Sequence, residues 1–310
     1  MTSFSATARR VWLYVFLLIA VLYAAHYCLG QAGKLEKSLH FFPGFVIAII
    51  AAQLLFWLTY SLLWTRLIAR VSNADLTLWE SFQQQNLLNL GKYLPGKIWG
   101  MVARGATLTE KGLTVTEVVV ATCTEQTLVL HSAGLVSALL FASLHPSMLS
   151  LALVIFFLLT LGFGSQLLVI AFRLYTRMLK TNTALSDTQE LKSISATKYL
   201  NFVCGYSAGW IVNGLLFASI YFTFYSAAPP SIQLLSILVL ANTVGVALGF
   251  LALFAPGGIG VREAITSAML ANVMPLDDAI MLAVLFRLWL LLTDVFVGGF
   301  VVLTGRKELR

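Results

Sequence analysis

Ala255-Pro256-Gly257-Gly258-Ile259-Gly260-Val261-Arg262-Glu263 closes a long run, residues 199–261, that holds no Asp, Glu, Lys or Arg. Proline ends a helix and glycines admit backbone angles that no helix uses, so the chain breaks here and a new helix begins. A second interruption has the same build: Gly91-Lys92-Tyr93-Leu94-Pro95-Gly96-Lys97-Ile98-Trp99-Gly100, followed by Arg104. Pro95 and Pro256 are 161 residues apart, about half the chain, and each break has an asparagine upstream, Asn89 and Asn242. Paired Gly/Pro interruptions in hydrophobic segments are tolerated at membrane depth only where protein or a watery cavity satisfies the freed backbone. The plain alternative is a pair of tight turns joining two spans.

The surrounding sequence settles the medium. Of 310 residues, 59% are hydrophobic and 11% charged, and the mean hydropathy is +0.88. A soluble domain carries roughly 25% charged residues. That balance excludes a soluble enzyme, a secreted disulfide scaffold, a disordered chain and a nucleic-acid partner. Charge-free runs at 11–30, 38–65, 126–172 (divided at His145-Pro146) and 199–261 (divided at Pro229-Pro230) hold six full spans, since one span needs about 20 residues. The third span is expected to begin near Thr116, and the first to be an uncleaved helix. Residues 264–273 are too short to cross. Residues 279–304 are long enough but carry Arg287 and Asp294, so the chain ends in a helical hairpin with a short half-helix. The expected fold is an all-α polytopic membrane protein of about eight membrane segments.

If the spans alternate, 17 of the 20 basic residues fall on one side, which places both termini in the cytoplasm. Trp12, Trp64 and Trp79 mark inner ends of an aromatic belt, and Tyr23, Tyr27, Tyr221 and Tyr225 outer ends. The matched breaks suggest an internal duplication, with halves 1–172 and 199–310 joined by a cytoplasmic loop over 173–198 in one membrane domain. On that topology both halves begin at a cytoplasmic end, so parallel repeats are expected.

The chemistry concentrates in few residues. A helix restarting after Pro256 presents free N–H groups and a positive dipole end, which favours an anion. Arg262, or Arg104 after the first break, adds a guanidinium fork suited to phosphate. Pro95, Gly96, Pro256, Gly257, Gly258 and Gly260 let a ligand approach the backbone. Arg287 and Asp294 are seven residues apart and so lie on nearly one helix face, with Glu125 expected as the partner of Arg287. Glu125, Asp294 and Glu263 would balance these cations or carry protons; interhelical ion pairs that fix packing are the alternative. Residues 76–94 read as a half-polar helix, lying at the interface or re-entering as a hairpin. Cys28, Cys123 and Cys204 read as small packing residues, and His26 and His131 as hydrogen-bonded packing residues. No metal site, cofactor motif or catalytic constellation is present, so no enzyme is expected.

The residues Pro256 to Ala264, the Leu94-Pro95-Gly96 motif with Arg104 after it, and Glu125 in the next helix together resemble the lysylphosphatidylglycerol synthase transmembrane-region family. The resemblance covers about 10–305. It implies a flippase-like protein of the bacterial inner membrane that handles anionic or polyisoprenyl-phosphate-linked lipids. It also implies a membrane lipid as substrate and a glycosyltransferase or lipid-modifying enzyme as partner. Members that transfer aminoacyl groups carry a soluble catalytic domain after the membrane part; the chain stops at Arg310, so that activity is not expected. The resemblance leaves two functions open. One is translocation of the lipid, and the other is presentation of a lipid-linked substrate to a glycosyltransferase without transport.

Overall fold

A computed structural model describes residues 42–72, 74–92, 99–178, 195–225, 230–252 and 255–304. Among these residues there are nine α-helices and no strand: α1 Val46–Val71, α2 Leu78–Gly91, α3 Trp99–Glu110, α4 Val115–Leu144, α5 Met148–Met178, α6 Ala196–Phe224, α7 Ile232–Leu251, α8 Val261–Leu270 and α9 Leu276–Thr304. Five stretches are long and apolar enough to cross a membrane: Pro43–Val71, Val115–Leu144, Ala196–Phe224, Ile232–Leu251 and Leu276–Val301. The outward faces are apolar, with Met148, Ile232 and Phe296 more than 70% exposed, as a lipid-facing surface requires. The chain is therefore a multi-pass membrane protein. The first expected span, with His26 and Cys28, lies outside the described residues.

Sequence punctuation explains most boundaries. Helix α4 starts on the Thr114–Glu117 capping box and ends at His145, where Pro146 comes next. Helix α2 starts on the equivalent Thr77–Glu80 box. The expected loop over 173–198 begins later than its charges suggested, because α5 runs on to Met178. Arg173 and Arg177 are good helix formers, so a basic stretch marks where lipid ends without ending the helix.

Lipid offers no hydrophobic drive for helix association, so close packing over small residues holds the bundle. Helix α6 is the hub, packed against α1, α4, α5, α7 and α9. Gly205 and Gly209, four apart, let α1 approach. A Cβ on Gly205 would sit 2.5 Å from Leu63, and one on Gly209 2.7 Å from Tyr60. These contacts, with the Phe42 N–H donating to the Thr223 carbonyl at 2.8 Å, show that α1 and α6 run antiparallel.

Two helix pairs then fold back on themselves. Helices α2 and α3 are antiparallel: Gly91 meets Gly100 backbone to backbone, Gln84 Nε2 donates to Thr107 Oγ1 at 2.5 Å, and Lys111 pairs with Glu80. Helices α7 and α8 are antiparallel as well, with Gly249 against Arg262 and Gly245 against Thr266. The first hairpin opens beside the end of α1 and the second beside the end of α6. Since α1 and α6 run in opposite directions, the hairpins enter the bundle from opposite ends. The expected topology counted each apolar run as a full crossing, whereas a hairpin goes in and returns, which reverses the direction of the next span.

Two smaller expectations also change. Cys123 and Cys204 are exposed on the outer surface, not packed inside. Trp64 belongs to no aromatic belt; it is fully buried.

Candidate functional site

Both hairpins end at the middle turns of α9. Lys92, just past α2, pairs with Asp294 at 2.7 Å. Arg287, two helical turns earlier on α9, donates to the Gly257 carbonyl at 2.8 Å and lies 3.6 Å from Glu263 Oε1. Position 287 is the twelfth of 29 residues in α9 and position 294 the nineteenth, so the hairpin ends converge near half-height.

There they line a cavity of about 230 Å³. Its wall includes Lys92, Arg262, Arg287, Glu125 and Asp294, together with the Gly257 backbone. Glu125, Arg287 and Asp294, the charged residues expected within spans, all reach it, though the pairing differs from expectation. Glu125 does not meet Arg287. Its Oε2 accepts from Arg104 at 2.5 Å and its Oε1 from Gln85 at 2.6 Å. Arg104 is on α3 and Glu125 on α4, so the pair ties the first hairpin to the bundle.

Accessibility separates the cations. In the Arg104–Glu125 pair the side chains are 0% and 1% exposed, and the Arg104 guanidinium stacks 3.8 Å above Trp64. Arg104 is therefore fully buried and is not among the residues that line the cavity. Lys92 is 36% exposed while its partner Asp294 is 5% exposed, so this pair is open on its lysine side. Arg262 stacks 4.8 Å over Phe286 and donates to Asn242 Oδ1 at 3.3 Å; Asn242 in turn donates to Asn213 at 2.7 Å. That chain of amides orients Arg262 toward the cavity.

The Pro-Gly turn behaves partly as expected. Pro256–Gly258 form one 3-10 turn, with positive φ at Gly257 (56°), Gly258 (72°) and Gly260 (83°). The glycines serve the turn itself: Gly258 packs on the Gly249 carbonyl, where a Cβ would come within 2.8 Å. The free N–H groups expected at the start of α8 are not all free. The Gly260 N–H donates to Glu263 Oε2 at 2.7 Å, so the helix is capped by its own carboxylate. Glu263 thus holds the α8 start and Arg287, and it does not hold Arg262. Pro95 and Gly96 lie outside the described residues.

Sequence reasoning passed over Lys92, although it stands in the quoted motif. An aspartate within a span, Asp294, demands a cation, and Lys92 was within the same short list of charges. The half-polar helix expected over 76–94 is present as α2, and its polar side faces inward. Ser81, Gln84, Gln85 and Asn86 are buried, whereas Leu78 and Trp79 are exposed, so α2 is polar inside and apolar outside. His131 is a packing residue as expected, 2.8 Å from the Tyr199 hydroxyl and 3.1 Å from the Phe157 carbonyl. Among the described residues no cluster of His, Cys, Asp or Glu could hold a metal.

Residues 10–298 match the family described as the lysylphosphatidylglycerol synthase TM region. No curated protein matches the chain.

Proposed function

The chain belongs to the lysylphosphatidylglycerol synthase transmembrane-region family, and from that premise we propose that it translocates an anionic or polyisoprenyl-phosphate-linked lipid across a bacterial inner membrane. The observation that carries this reading is the cavity at half-height, where both hairpins end beside Lys92, Arg262 and Arg287. Three cations around a small cavity suit a phosphate, because they outnumber the carboxylates of its wall and a lipid phosphate supplies the missing charge. The acyl or isoprenyl tail stays in lipid outside the apolar helix faces.

In this reading the two halves, 1–172 and 199–310, are inverted repeats. Three features support it: the antiparallel α1 and α6, the two hairpins, and the start positions of α4 and α9, which are separated by the same 161 residues as the two prolines. Inverted repeats place a substrate site near the midplane between broken helices and let one half rock against the other. The basic-residue bias puts both termini in the cytoplasm. Asp294 and Glu263 hold Lys92 and Arg287 while the site is empty and release them to the phosphate as it enters. The activity moves the lipid without covalent change, and a glycosyltransferase or lipid-modifying enzyme supplies or consumes it.

The test is translocation of a labelled polyisoprenyl phosphate in liposomes. Arg262→Ala should abolish movement while the detergent-solubilised protein keeps its melting temperature within a few degrees. Unchanged movement removes Arg262 from the site. If the wild-type chain binds the lipid but never moves it, substrate presentation replaces translocation.

A further inference from the structure

The cavity is lined by two unlike sets of side chains. Lys92, Arg262 and Arg287 form one. Phe56, Trp57 and Tyr60 of α1 and Phe82 of α2 form the other. Trp57 meets Phe82 edge to face with centroids 5.9 Å apart, and Phe56 lies 4.5 Å from Tyr60, so the four rings form two braced pairs. Asn89 of α2 and Gln126 of α4 also line the cavity, and neither amide makes a hydrogen bond to the described residues. A phosphate requires only the cationic set. The aromatic set and the two amides are equipment for something attached to it.

Resting on the phosphate-lipid reading above, we propose that the cavity selects a lipid whose phosphate bears one uncharged sugar ring, laid against the aromatic rings and held by Asn89 and Gln126. A sugar ring has apolar C–H faces that pack on aromatic rings and a rim of hydroxyls that both donate and accept. An amide matches such hydroxyls with both its oxygen and its NH2.

Charge argues against a cationic headgroup. Asp294 is paired with Lys92, Glu125 is held by Arg104 and Gln85, and Glu263 faces Arg287, so the cations around the cavity outnumber the carboxylates by one. An ammonium group would add to that positive excess. A bare phosphate would leave Asn89 and Gln126 desolvated and unpaired, and sites built to hydrogen-bond a hydroxyl reject analogues lacking it. Size favours a single ring. At about 230 Å³ the cavity is below the roughly 300–1,000 Å³ that encloses drug-sized ligands, so one ring fits it better than an oligosaccharide.

The experiment compares binding of three lipids to the full chain in mild detergent. They are a polyisoprenyl monophosphate, the same lipid with one hexose on its phosphate, and a phospholipid with an aminoacyl-linked ammonium. The hexose lipid should bind at least about ten-fold more tightly than the bare phosphate, one unpaired amide being worth about that factor. Trp57→Leu and Gln126→Leu should each lower the hexose-to-bare selectivity ratio by about ten-fold, whereas Arg262→Ala weakens both lipids and leaves the ratio. Equal wild-type affinity for hexose and bare phosphate overturns the sugar inference and leaves the phosphate-lipid reading standing, as does tightest binding of the aminoacyl lipid. Binding of none of the three removes both.

Discussion

Helices α2 and α3 set a fully buried ion pair and its amides against the bundle, whereas α7 and α8 are joined by glycine contacts and by the neutral amide Asn242, with no fully buried ion pair among the described contacts. In the first hairpin Arg104, Glu125 and Gln85 form one fully enclosed polar knot, with Glu80 and Lys111 paired at its open end. In the second, Gly245 and Gly249 admit α8 against α7, and the turn at Pro256–Gly258 uses left-handed backbone. The two hairpins reach the same cavity from opposite ends. The difference shows that the position of a hairpin can be specified by charge or by close packing. The first means is sensitive to protonation and to loss of either partner, and the second chiefly to added volume at Gly245, Gly249 and Gly258.

The sharpest way to break the comparison is Glu125→Leu. It leaves Arg104 charged and buried without its partner, a change that costs about 3–5 kcal/mol. The melting temperature in detergent should collapse, and protease should cut near α2 and α3 first. Intact melting would mean the knot does not hold the first hairpin. Next comes Gly258→Ala, which forces a side chain into positive φ and against the Gly249 carbonyl 2.8 Å away. Strain of this kind costs about 1–3 kcal/mol, so a melt should shift by several degrees without exposing α2 or α3. A shift no larger than that of Ala264→Gly would show that the turn has room to spare.

The smallest effect is one of pH. Glu80 is held below the usual carboxylate range, chiefly by its hydrogen bond from Lys111 and further by Thr77. A depressed folded-state pKa stabilises above the ordinary carboxylate value, and that stability is lost as pH falls through the lowered one. Melting of the wild type should therefore drop slightly on acidification from about pH 5 to about pH 3. In Lys111→Met most of that drop should vanish. The second hairpin has its own carboxylate contacts, Glu263 with the Gly260 N–H and with Arg287, so the test is the difference between wild type and Lys111→Met: an equal acid-induced drop in both would remove the Glu80–Lys111 pair as its source.

Much of the fold could be read from charge alone. Runs without Asp, Glu, Lys or Arg located the spans, and His145-Pro146 and Ala255–Gly260 located two breaks, because lipid tolerates few exceptions. Direction was not legible in the same way. A hairpin and a crossing have similar composition, and only the contacts of Gly205 and Gly209 with α1 reveal that α6 runs opposite to it. Within the site, Arg287 and Asp294 were found because each is expensive at membrane depth. Their partners were harder. Arg104 lies 21 residues before Glu125 on another helix, and such a pairing is decided by how α3 folds back, which local sequence does not state. Trp64 was misplaced for a related reason: a tryptophan near a helix end fits a belt until a guanidinium is known to cover it. The aromatic set left no signal at all, since Phe56, Trp57 and Tyr60 look like any lipid-facing stretch of α1.

Helix α9 holds both hairpins by contacts seven residues apart, which is about 10.5 Å along its axis. That makes it a connecting rod between two pistons entering from opposite ends. When the rod slides with both contacts intact, one hairpin is drawn outward and the other pushed further in by the same distance. On the translocation reading proposed above, a single displacement would open one approach to the cavity in the measure that it closes the other.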